Sequence, residues 1–327
     1  MCGDERPFIP THPRKQQMNQ TSKTYMDEAL TWCAFVLGPI AIMADHSKEH
    51  GGHVSSTRRL RAAQGFCYLK VHQSQTHWQQ EVHAYEQWRD AFGDHAPRLL
   101  AARDTAPYAL VVTELPGQIA ENMTLQPTQE RALWHAAGAA LVALHELQNG
   151  DYFGPCRRDG SPADGEGERD ASQYVAGRLQ TQLDQAISSN YLNDEELATL
   201  RAAHTLTPAF AGERPTACHR DYCAANWLVN EEGSWSGVID FEFAHWDVRV
   251  TDFSRDPNWN WMHRPDLLAA FFAGYGRSPT ATEEKQLLVT RAEYALGAII
   301  WGTEHAFYGF AQEGHDALAY LKPLLNP

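Results

Sequence analysis

Two short stretches, HRDYCAAN (219–226) and VIDFEFA (238–244), carry the strongest functional signal in this sequence. Four residues separate Asp221 from Asn226, and Asp240 follows in the second stretch, at the end of what looks like a short strand. Carboxylate and amide oxygens are the hard ligands that Mg²⁺ prefers, and a carboxylate can also accept the proton of an attacking hydroxyl. The spacing therefore predicts one part of a site for phosphoryl transfer. In this interpretation the catalytic base is Asp221, and the metal ligands are Asn226, Asp240 and Glu242.

The rest of such a site must bind the phosphates of a nucleotide, and the upstream sequence supplies suitable residues. Lys70 lies in FCYLKVH (66–72), whose alternation predicts a strand. Glu81 falls on the apolar face of the helix predicted next, where a carboxylate is costly unless it is paired. We expect Lys70 to be its partner. Small residues in GGHVSSTRR offer backbone N–H groups to phosphate, and VVTELPG offers main chain to an adenine edge. The residues predicted to bind the nucleotide are Lys70, Glu81, Gly52, Ser55, Ser56, Thr113 and Leu115.

The order of elements predicts an α+β fold with two lobes. Strand-like segments and one strong helix alternate as far as Pro116-Gly117, and long helices dominate after that point. We expect a small, β-rich N-terminal lobe at 24–117 and a larger, mainly helical C-terminal lobe at 118–327. The polar residues 1–23 are predicted to form a disordered arm, with Thr24 as the N-cap of the first helix.

Charge is distributed unevenly along the 327 residues, whose formal net charge is −14. Residues 1–117 carry 12 basic and 12 acidic side chains, whereas 118–327 carry 15 basic and 29 acidic ones. An acidic chain is poorly suited to nucleic acid, whose phosphates require a basic face. The excess of acid either serves solubility or attracts a cationic substrate to the second lobe.

The cysteines and the apolar stretches restrict the setting of the protein. The six cysteines form no C-x-x-C pair, which favours reduced thiols in the cytoplasm over disulfides or a zinc site. The longest apolar run, at 31–44, is too short for a bilayer and is broken by Gly38-Pro39. We therefore expect a cytoplasmic protein, monomeric or dimeric, that binds neither membrane nor nucleic acid.

The chain resembles the aminoglycoside phosphotransferase and choline kinase-like family, which has a protein-kinase-like fold. The matching segments are GGHVSSTRR, YLKVH with Lys70, Glu81, ELPG, ALHEL, HRDYCAAN and VIDFEFA, in order over about 40–255. The resemblance implies ATP, with GTP not excluded, and Mg²⁺ as cofactors, and it implies that Asp252 is a structural aspartate. Glu242 replaces the glycine of the D-F-G motif and no A-P-E segment follows, which disfavours protein substrates.

The substrate end of the site is the least defined part. The candidate substrate residues are Asp221 together with Trp259, Trp301, Glu304 and Tyr308, because aromatic faces attract cations. We expect a kinase that phosphorylates a hydroxyl of a small, possibly cationic molecule, first an aminoglycoside antibiotic, as in resistance. The alternative is a metabolic kinase for choline, ethanolamine or a sugar-like alcohol. A catalytically silent nucleotide-binding scaffold is the third reading, and the retained Lys70, Glu81, Asp221, Asn226 and Asp240 disfavour it.

Overall fold

The structure, a computed structural model, describes residues 13–46 and 55–325. These residues fall into two compact units. The first contains the described residues up to Trp78 together with Leu99–Glu114, and the second contains Gln79–Arg98 and the described residues from Leu115 onward. Among the described residues, no helix combines the length and the apolar character needed to cross a bilayer.

The first unit is a five-stranded antiparallel sheet with one long helix, α1 (Pro13–Leu37). The strands are β1 (Ala41–Asp45), β2 (Ser55–Ala62), β3 (Gly65–His72), β4 (Leu99–Arg103) and β5 (Ala109–Thr113). They are ordered β1-β2-β3-β5-β4, so the predicted strand around Lys70 lies in the centre of the sheet. Apolar side chains of α1, including Met26 and Cys33, pack with Leu60, Leu69 and Val111 of the sheet. The alternation that predicts these strands therefore places one face of the sheet against the helix.

Helix α1 begins earlier than the sequence predicts. It starts at Pro13 and includes Thr24, so the predicted N-cap at Thr24 is wrong. The physical reason is that residues 13–23 are mostly good helix formers with no breaker after the initial proline. Residues 1–12 of the predicted arm lie outside the described residues.

The second unit contains the rest of the helices. Helix α2 (Gln75–Gln87) begins in the first unit and continues in the second. The helices that follow are α3 (Pro127–His145), α4 (Ala171–Ser188), α5 (Asp194–Thr205), α6 (Asn260–His263), α7 (Pro265–Gly274), α8 (Ala281–Glu304) and α9 (Tyr308–Leu325). The main core of this unit lies among α4, α5, α8 and α9, and its fully buried residues include Val175, Leu179, Leu200, Leu296 and Ile299.

Helices α3 and α7 cross closely because each has a glycine where the other approaches. A Cβ added to Gly138 would lie 2.0 Å from the carbonyl oxygen of Phe271, and one added to Gly274 would lie 1.8 Å from that of His135. A real Cβ cannot approach this closely, so these glycines allow backbone-to-backbone contact between the two helices.

Two small antiparallel sheets carry the functional motifs of the second unit. One has the order β6-β8-β9, formed by β6 (Gln118–Ile119), β8 (Trp227–Val229) and β9 (Trp235–Val238). The other pairs β7 (Thr216–Cys218) with β10 (His245–Asp247). The loop between β7 and β8 contains HRDYCAAN, and the loop between β9 and β10 contains IDFEFA.

Candidate active site

The β8–β9 hairpin brings together two of the three predicted metal ligands, Asn226 and Asp240. Asn226 immediately precedes β8 and Asp240 follows β9, and the strands pair antiparallel with Trp227 opposite Val238. The backbone N–H of Ile239 donates to the carbonyl oxygen of Asn226 at 3.0 Å. Because the two strands run in opposite directions, Asn226 and Asp240 lie at the same end of the hairpin. The residues that separate Asn226 from Asp240 in the sequence are therefore those that form the hairpin.

Asn226 also contacts the predicted base directly. Its Nδ2 donates to Oδ2 of Asp221 at 2.8 Å and to the backbone oxygen of Asp221 at 2.9 Å. With the amide nitrogen so engaged, Oδ1 of Asn226 is the atom that remains to face a cation. The side chain of Asn226 is buried, so its orientation is set by these bonds and by the hairpin.

Two residues of the motifs adopt left-handed backbone conformations that side chains other than glycine seldom adopt. Arg220 has a φ of 65° and Asp240 has a φ of 67°. Such conformations cost of order 1–3 kcal/mol each and persist only where the surroundings enforce them. They occur immediately before Asp221 and at Asp240, the two carboxylates that the sequence predicts for this site.

Buried hydrogen bonds hold the loop before Asp221. Asp252 accepts from the backbone N–H groups of His219 at 3.0 Å and of Arg220 at 2.5 Å. It also bonds Nε2 of His145 at 3.0 Å, while Nδ1 of His145 bonds the hydroxyl of Tyr275 at 2.8 Å. Burial lowers the pKa of His145 although the neighbouring Asp252 opposes that shift. A neutral His145 with its proton on Nε2 satisfies both bonds.

The donor atoms fit a hard divalent cation. Asn226 offers an amide oxygen, and Asp240 offers a carboxylate held beside it by the hairpin. Glu242 is buried two residues further along. Oxygen donors of this kind suit Mg²⁺, which needs only one or two carboxylates besides phosphate oxygens and water.

A group of aromatic residues and carboxylates includes Tyr294, whose hydroxyl is within reach of the charge of Asp221. Tyr294 of α8 is half-buried, and its ring lies 5.0 Å from that of Trp259. Burial raises the pKa of Tyr294 well above its usual value. The charge of Asp221 adds to this increase, and the charge of Arg255 opposes it. The ring of Tyr294 and the ring of Phe243 both pack against the guanidinium of Arg255, at 5.8 and 5.0 Å.

Three carboxylates accompany this aromatic group. Asp256 is buried and accepts from the backbone N–H of Asn260 at 2.8 Å. Burial raises the pKa of Asp256, and the charge of Glu121 acts in the same direction. Glu121 is bonded to the loop between β7 and β8: its backbone N–H donates to the carbonyl oxygen of Ala224 at 3.1 Å. Glu313 accepts from the indole of Trp259 at 2.8 Å.

Comparison with known proteins identifies the family. The model of the phosphotransferase enzyme family matches residues 48–287, which is most of the chain. The chain belongs to the phosphotransferase enzyme family. The predicted enzyme class, a small-molecule kinase, is thereby confirmed. No curated protein matches the chain in a sequence search.

Solved structures of this enzyme class share the fold. Aminoglycoside phosphotransferase APH(4)-Ia is 12% identical, with a TM-score of 0.71 over 93% of this chain and 99% of that one. Aminoglycoside 2′-phosphotransferase-IIIa is 11% identical, with a TM-score of 0.64 over 93% of this chain and 98% of that one. At such identities the likeness establishes the fold alone, and it confirms the predicted α+β, protein-kinase-like fold class.

The residues predicted to bind nucleotide in this phosphotransferase are distributed over both units. Lys70 is buried in β3, paired in register with Thr57 and Leu110, and Thr113 ends β5. Glu81 is buried on the part of α2 that belongs to the second unit. Leu115 also belongs to the second unit. The Lys70–Glu81 ion pair stays a prediction.

The predicted phosphate-binding turn is only partly visible. Gly52 lies outside the described residues. Ser55 and Ser56 are not in a turn, because they form the start of β2 and pair with His72 and Val71. Their role in binding phosphate stays a prediction.

The predicted substrate residues are only partly brought together. Trp259 is buried beside Tyr294, and Phe310 links it to Trp301, with ring distances of 6.2 and 6.0 Å. Tyr308 is exposed at the start of α9. Glu304 is exposed at the end of α8 and accepts from Gln185 at 2.8 Å. Glu304 thus contacts α4, while Trp259 contacts Tyr294, whose pKa the charge of Asp221 affects.

Sequence reasoning missed several residues of the group that contains Trp259. They are Glu121, Asp256, Tyr294, Arg255 and Glu313. Only one signal was available for any of them: Arg255 and Asp256 follow closely on the Asp252 that the family resemblance singles out. The others lie on separate helices and turns, and nothing in their local sequence distinguishes them from surface charges or core aromatics.

Proposed function

We propose that this phosphotransferase moves the γ-phosphoryl group of a nucleoside triphosphate to a hydroxyl of a small cationic acceptor, in the first place an aminoglycoside antibiotic. The observation that carries the proposal is the hydrogen-bonded pair of Asp221 and Asn226, held beside Asp240 by the β8–β9 hairpin. Phosphoryl transfer requires positioning and neutralisation of charge, and this arrangement offers a base next to hard metal ligands.

In the proposed reaction Asp221 orients the acceptor hydroxyl and takes its proton. Oδ2 of Asp221 already accepts from Asn226, which fixes the plane of the carboxylate. As the acceptor oxygen attacks phosphorus, its O–H bond breaks toward Asp221 and the bond to the nucleoside diphosphate breaks on the opposite side. Asn226 and Asp240, with Glu242, would hold Mg²⁺, which when bound neutralises charge on the phosphates.

The phosphates need a further cation, and Lys70 is the candidate. Its position in a central strand with Thr57 and Leu110 on either side restricts the aliphatic stem, as the role requires. Glu81 is the proposed partner that orients Lys70. Thr113 and Leu115 are the proposed contacts of the adenine ring of the nucleotide. Related structures support nucleotide binding, because APH(4)-Ia has been solved with ADP and with AMP-PNP, and aminoglycoside 2′-phosphotransferase-IIIa with GDP. ATP is the proposed donor, with GTP as the competing one.

The acceptor is proposed from the charge and shape of its surroundings. Asp256, Glu121 and Glu313 bring three carboxylates to the neighbourhood of Trp259 and Tyr294. Ammonium groups bind favourably to carboxylates and to aromatic faces. Similar structures hold hygromycin B, gentamicin or streptomycin, which supports an aminoglycoside acceptor.

A metabolic acceptor of the choline or ethanolamine kind is the second candidate. The observation that favours it is the contact between Trp259, Tyr294 and Phe310, since a compact aromatic group suits a single small cation. A sugar-like alcohol belongs to the same alternative. The cytoplasmic location and the monomeric or dimeric state stay predictions. The five described cysteines are buried free thiols, as expected for a reducing compartment.

A panel of acceptors tests the proposal. Purified protein is incubated with Mg²⁺ and ATP or GTP in the presence of aminoglycosides, choline, ethanolamine or sugar alcohols, and phosphorylated product is measured by mass spectrometry. We expect transfer to at least one aminoglycoside. Transfer to choline or ethanolamine alone would select the second candidate. If neither nucleotide raises the melting temperature and no acceptor is phosphorylated, the proposed function is wrong.

A further inference from the structure

A buried network of charges adjoins residues 219–226, the loop that contains the proposed base and is called the catalytic loop below. Asp247, at the end of β10, is fully buried. Its Oδ2 accepts from Nη1 of Arg178 at 2.6 Å and forms an ion pair with Nε of Arg220 at 2.6 Å, in which Nε does not have hydrogen-bond geometry. Arg220 is the residue immediately before the proposed base, so one carboxylate contacts the catalytic loop through a single side chain.

The network continues away from the loop through Arg178 of α4. Its Nε and Nη2 donate to the two carboxylate oxygens of Glu293 at 2.7 and 2.5 Å. Tyr174 bridges Nη1 of Arg178 and Nε2 of His245, at 3.0 Å each. Two arginines and two carboxylates thus balance one another and connect α4, α8, β10 and the catalytic loop.

These charges are protected from titration. Burial alone would raise the pKa of Asp247, but Arg178 and Arg220 outweigh it and hold that pKa far below its usual range. Asp247 is therefore ionised whenever the protein is folded near neutral pH. The ion pair with Arg220 therefore does not depend on pH near neutrality.

A buried ion network is weak evidence for stability, because removing charges from water costs about as much as their attraction returns. The conformation of Arg220 suggests another purpose. Its φ of 65° is unfavourable for a side chain, and two contacts secure it: the backbone bond to Asp252 and the side-chain contact to Asp247. A left-handed residue directly before Asp221 sets the direction in which the next side chain leaves the backbone.

We propose that Asp247 is a positioning residue of the phosphoryl transfer, which holds Arg220 and thereby fixes Asp221 in its reactive orientation. The inference rests on the proposed function, since it requires Asp221 to be the base. The pairing of β10 with β7, with Asp247 opposite Thr216, places Asp247 beside the strand that leads into the loop. Asp247 itself touches neither substrate nor nucleotide in this account.

Four variants test it: Asp247→Asn, Arg220→Gln, the double variant of these two changes, and Arg220→Lys. We expect each single change to lower kcat about 100-fold, the size expected for a misplacement of roughly 1 Å, while KM for ATP changes about twofold or less. The double variant keeps the Arg178–Glu293 pair and balances the charge, so it serves if Asp247→Asn alone fails to fold. Its kcat should be no lower than that of either single variant, because both remove the same contact. Arg220→Lys, which keeps the charge, should recover part of the loss.

The control is Glu283→Gln, which breaks a different ion pair, that of the buried Glu283 with the exposed Arg277 at 2.6 and 2.7 Å. It should lower the melting temperature while kcat per folded molecule changes about twofold or less. If Asp247→Asn behaves like this control, or if the losses in the double variant multiply, Asp247 has a structural role only and the inference is wrong.

ATP hydrolysis without acceptor and transfer to the acceptor found in the panel are both measured. A wild-type protein that does neither overturns the proposed function and this inference together. An active wild type with a fully active Asp247→Asn variant overturns the inference alone.

Discussion

At the scale of single residues, Asn226 has two tasks in this site. Its amide nitrogen donates to Asp221 and its amide oxygen is the proposed ligand of Mg²⁺. Both tasks depend on one side chain held by its position immediately before β8. The proposed base and the proposed metal site are thereby coupled through one amide group.

Replacing Asn226 by Ala should therefore impair both the orientation of Asp221 and the binding of Mg²⁺. Loss of a hydrogen bond to a charged group costs about 1.5–3 kcal/mol, so we expect kcat to fall about 10- to 100-fold. We also expect half-maximal activity to require more Mg²⁺, which a metal titration of the reaction rate measures. The control is Asn230→Ala in the turn of the same hairpin, where the side chain accepts from Ser234 at 2.8 Å. Equal effects of the two changes would show that Asn226 acts only through the hairpin.

The residues that could be predicted from sequence are those whose spacing reflects a local structure. Asp221, Asn226 and Asp240 are recognisable because one loop and one hairpin separate them. Asp256 and Tyr294 could not be found in that way, because the folding of α8 against the preceding turn brings them near Asp221. Asp247 carries no local signal either, and only the pairing of β10 with β7 places it beside the catalytic loop.

At the scale of elements, the strands and most helices follow from periodicity, and the close contacts between helices do not. The crossing of α3 and α7 depends on Gly138 and Gly274, and glycine within a helical pattern is otherwise unfavourable. The start of α1 illustrates the opposite error. The polar composition of residues 13–23 predicts an arm, but the same composition permits a helix, and the structure has one there.

Gly274→Ala should destabilise the protein. The added methyl group would lie 1.8 Å from the carbonyl oxygen of His135, so the two helices must separate. Overpacking of this kind costs about 1–3 kcal/mol. The matched control is Gly177→Ala in α4, where nothing lies within 4 Å of the added atom. It should be neutral or stabilise by about 0.5–1 kcal/mol. Thermal unfolding of both variants measures the difference, and equal melting temperatures would contradict the close crossing.

At the scale of the whole molecule, buried histidines make stability depend on pH. Burial, the charge of Arg220 and that of Arg178 lower the pKa of His245 to about 3, with Asp247 opposing the shift. The pKa values of His145 and His83 are also lowered, first by burial. The unfolded chain therefore binds these protons at a higher pH than the folded chain does, so stability falls as pH decreases below about 6.5.

For His245 alone the loss should reach roughly 2 kcal/mol between about pH 7 and pH 5. Asp247 acts in the same direction but only below its unfolded pKa of about 4, so it does not contribute in this range. Chemical denaturation at several pH values should give a shallower dependence for His245→Gln than for the wild type. The exposed His135 serves as the control, and His135→Gln should keep the wild-type dependence. An unchanged slope in His245→Gln would contradict the assignment.

The central claim is that Asp221 is the base of a phosphoryl transfer to a small molecule. The most direct measurement is the rate of phosphorylated acceptor formation by wild type and by Asp221→Asn, with nucleotide binding measured on the same samples. We predict that Asp221→Asn lowers kcat about 1,000-fold or more, because it removes the proton acceptor while preserving shape, and that nucleotide affinity changes about threefold or less. An Asp221→Asn variant that binds nucleotide normally and transfers phosphate at the wild-type rate would contradict the account.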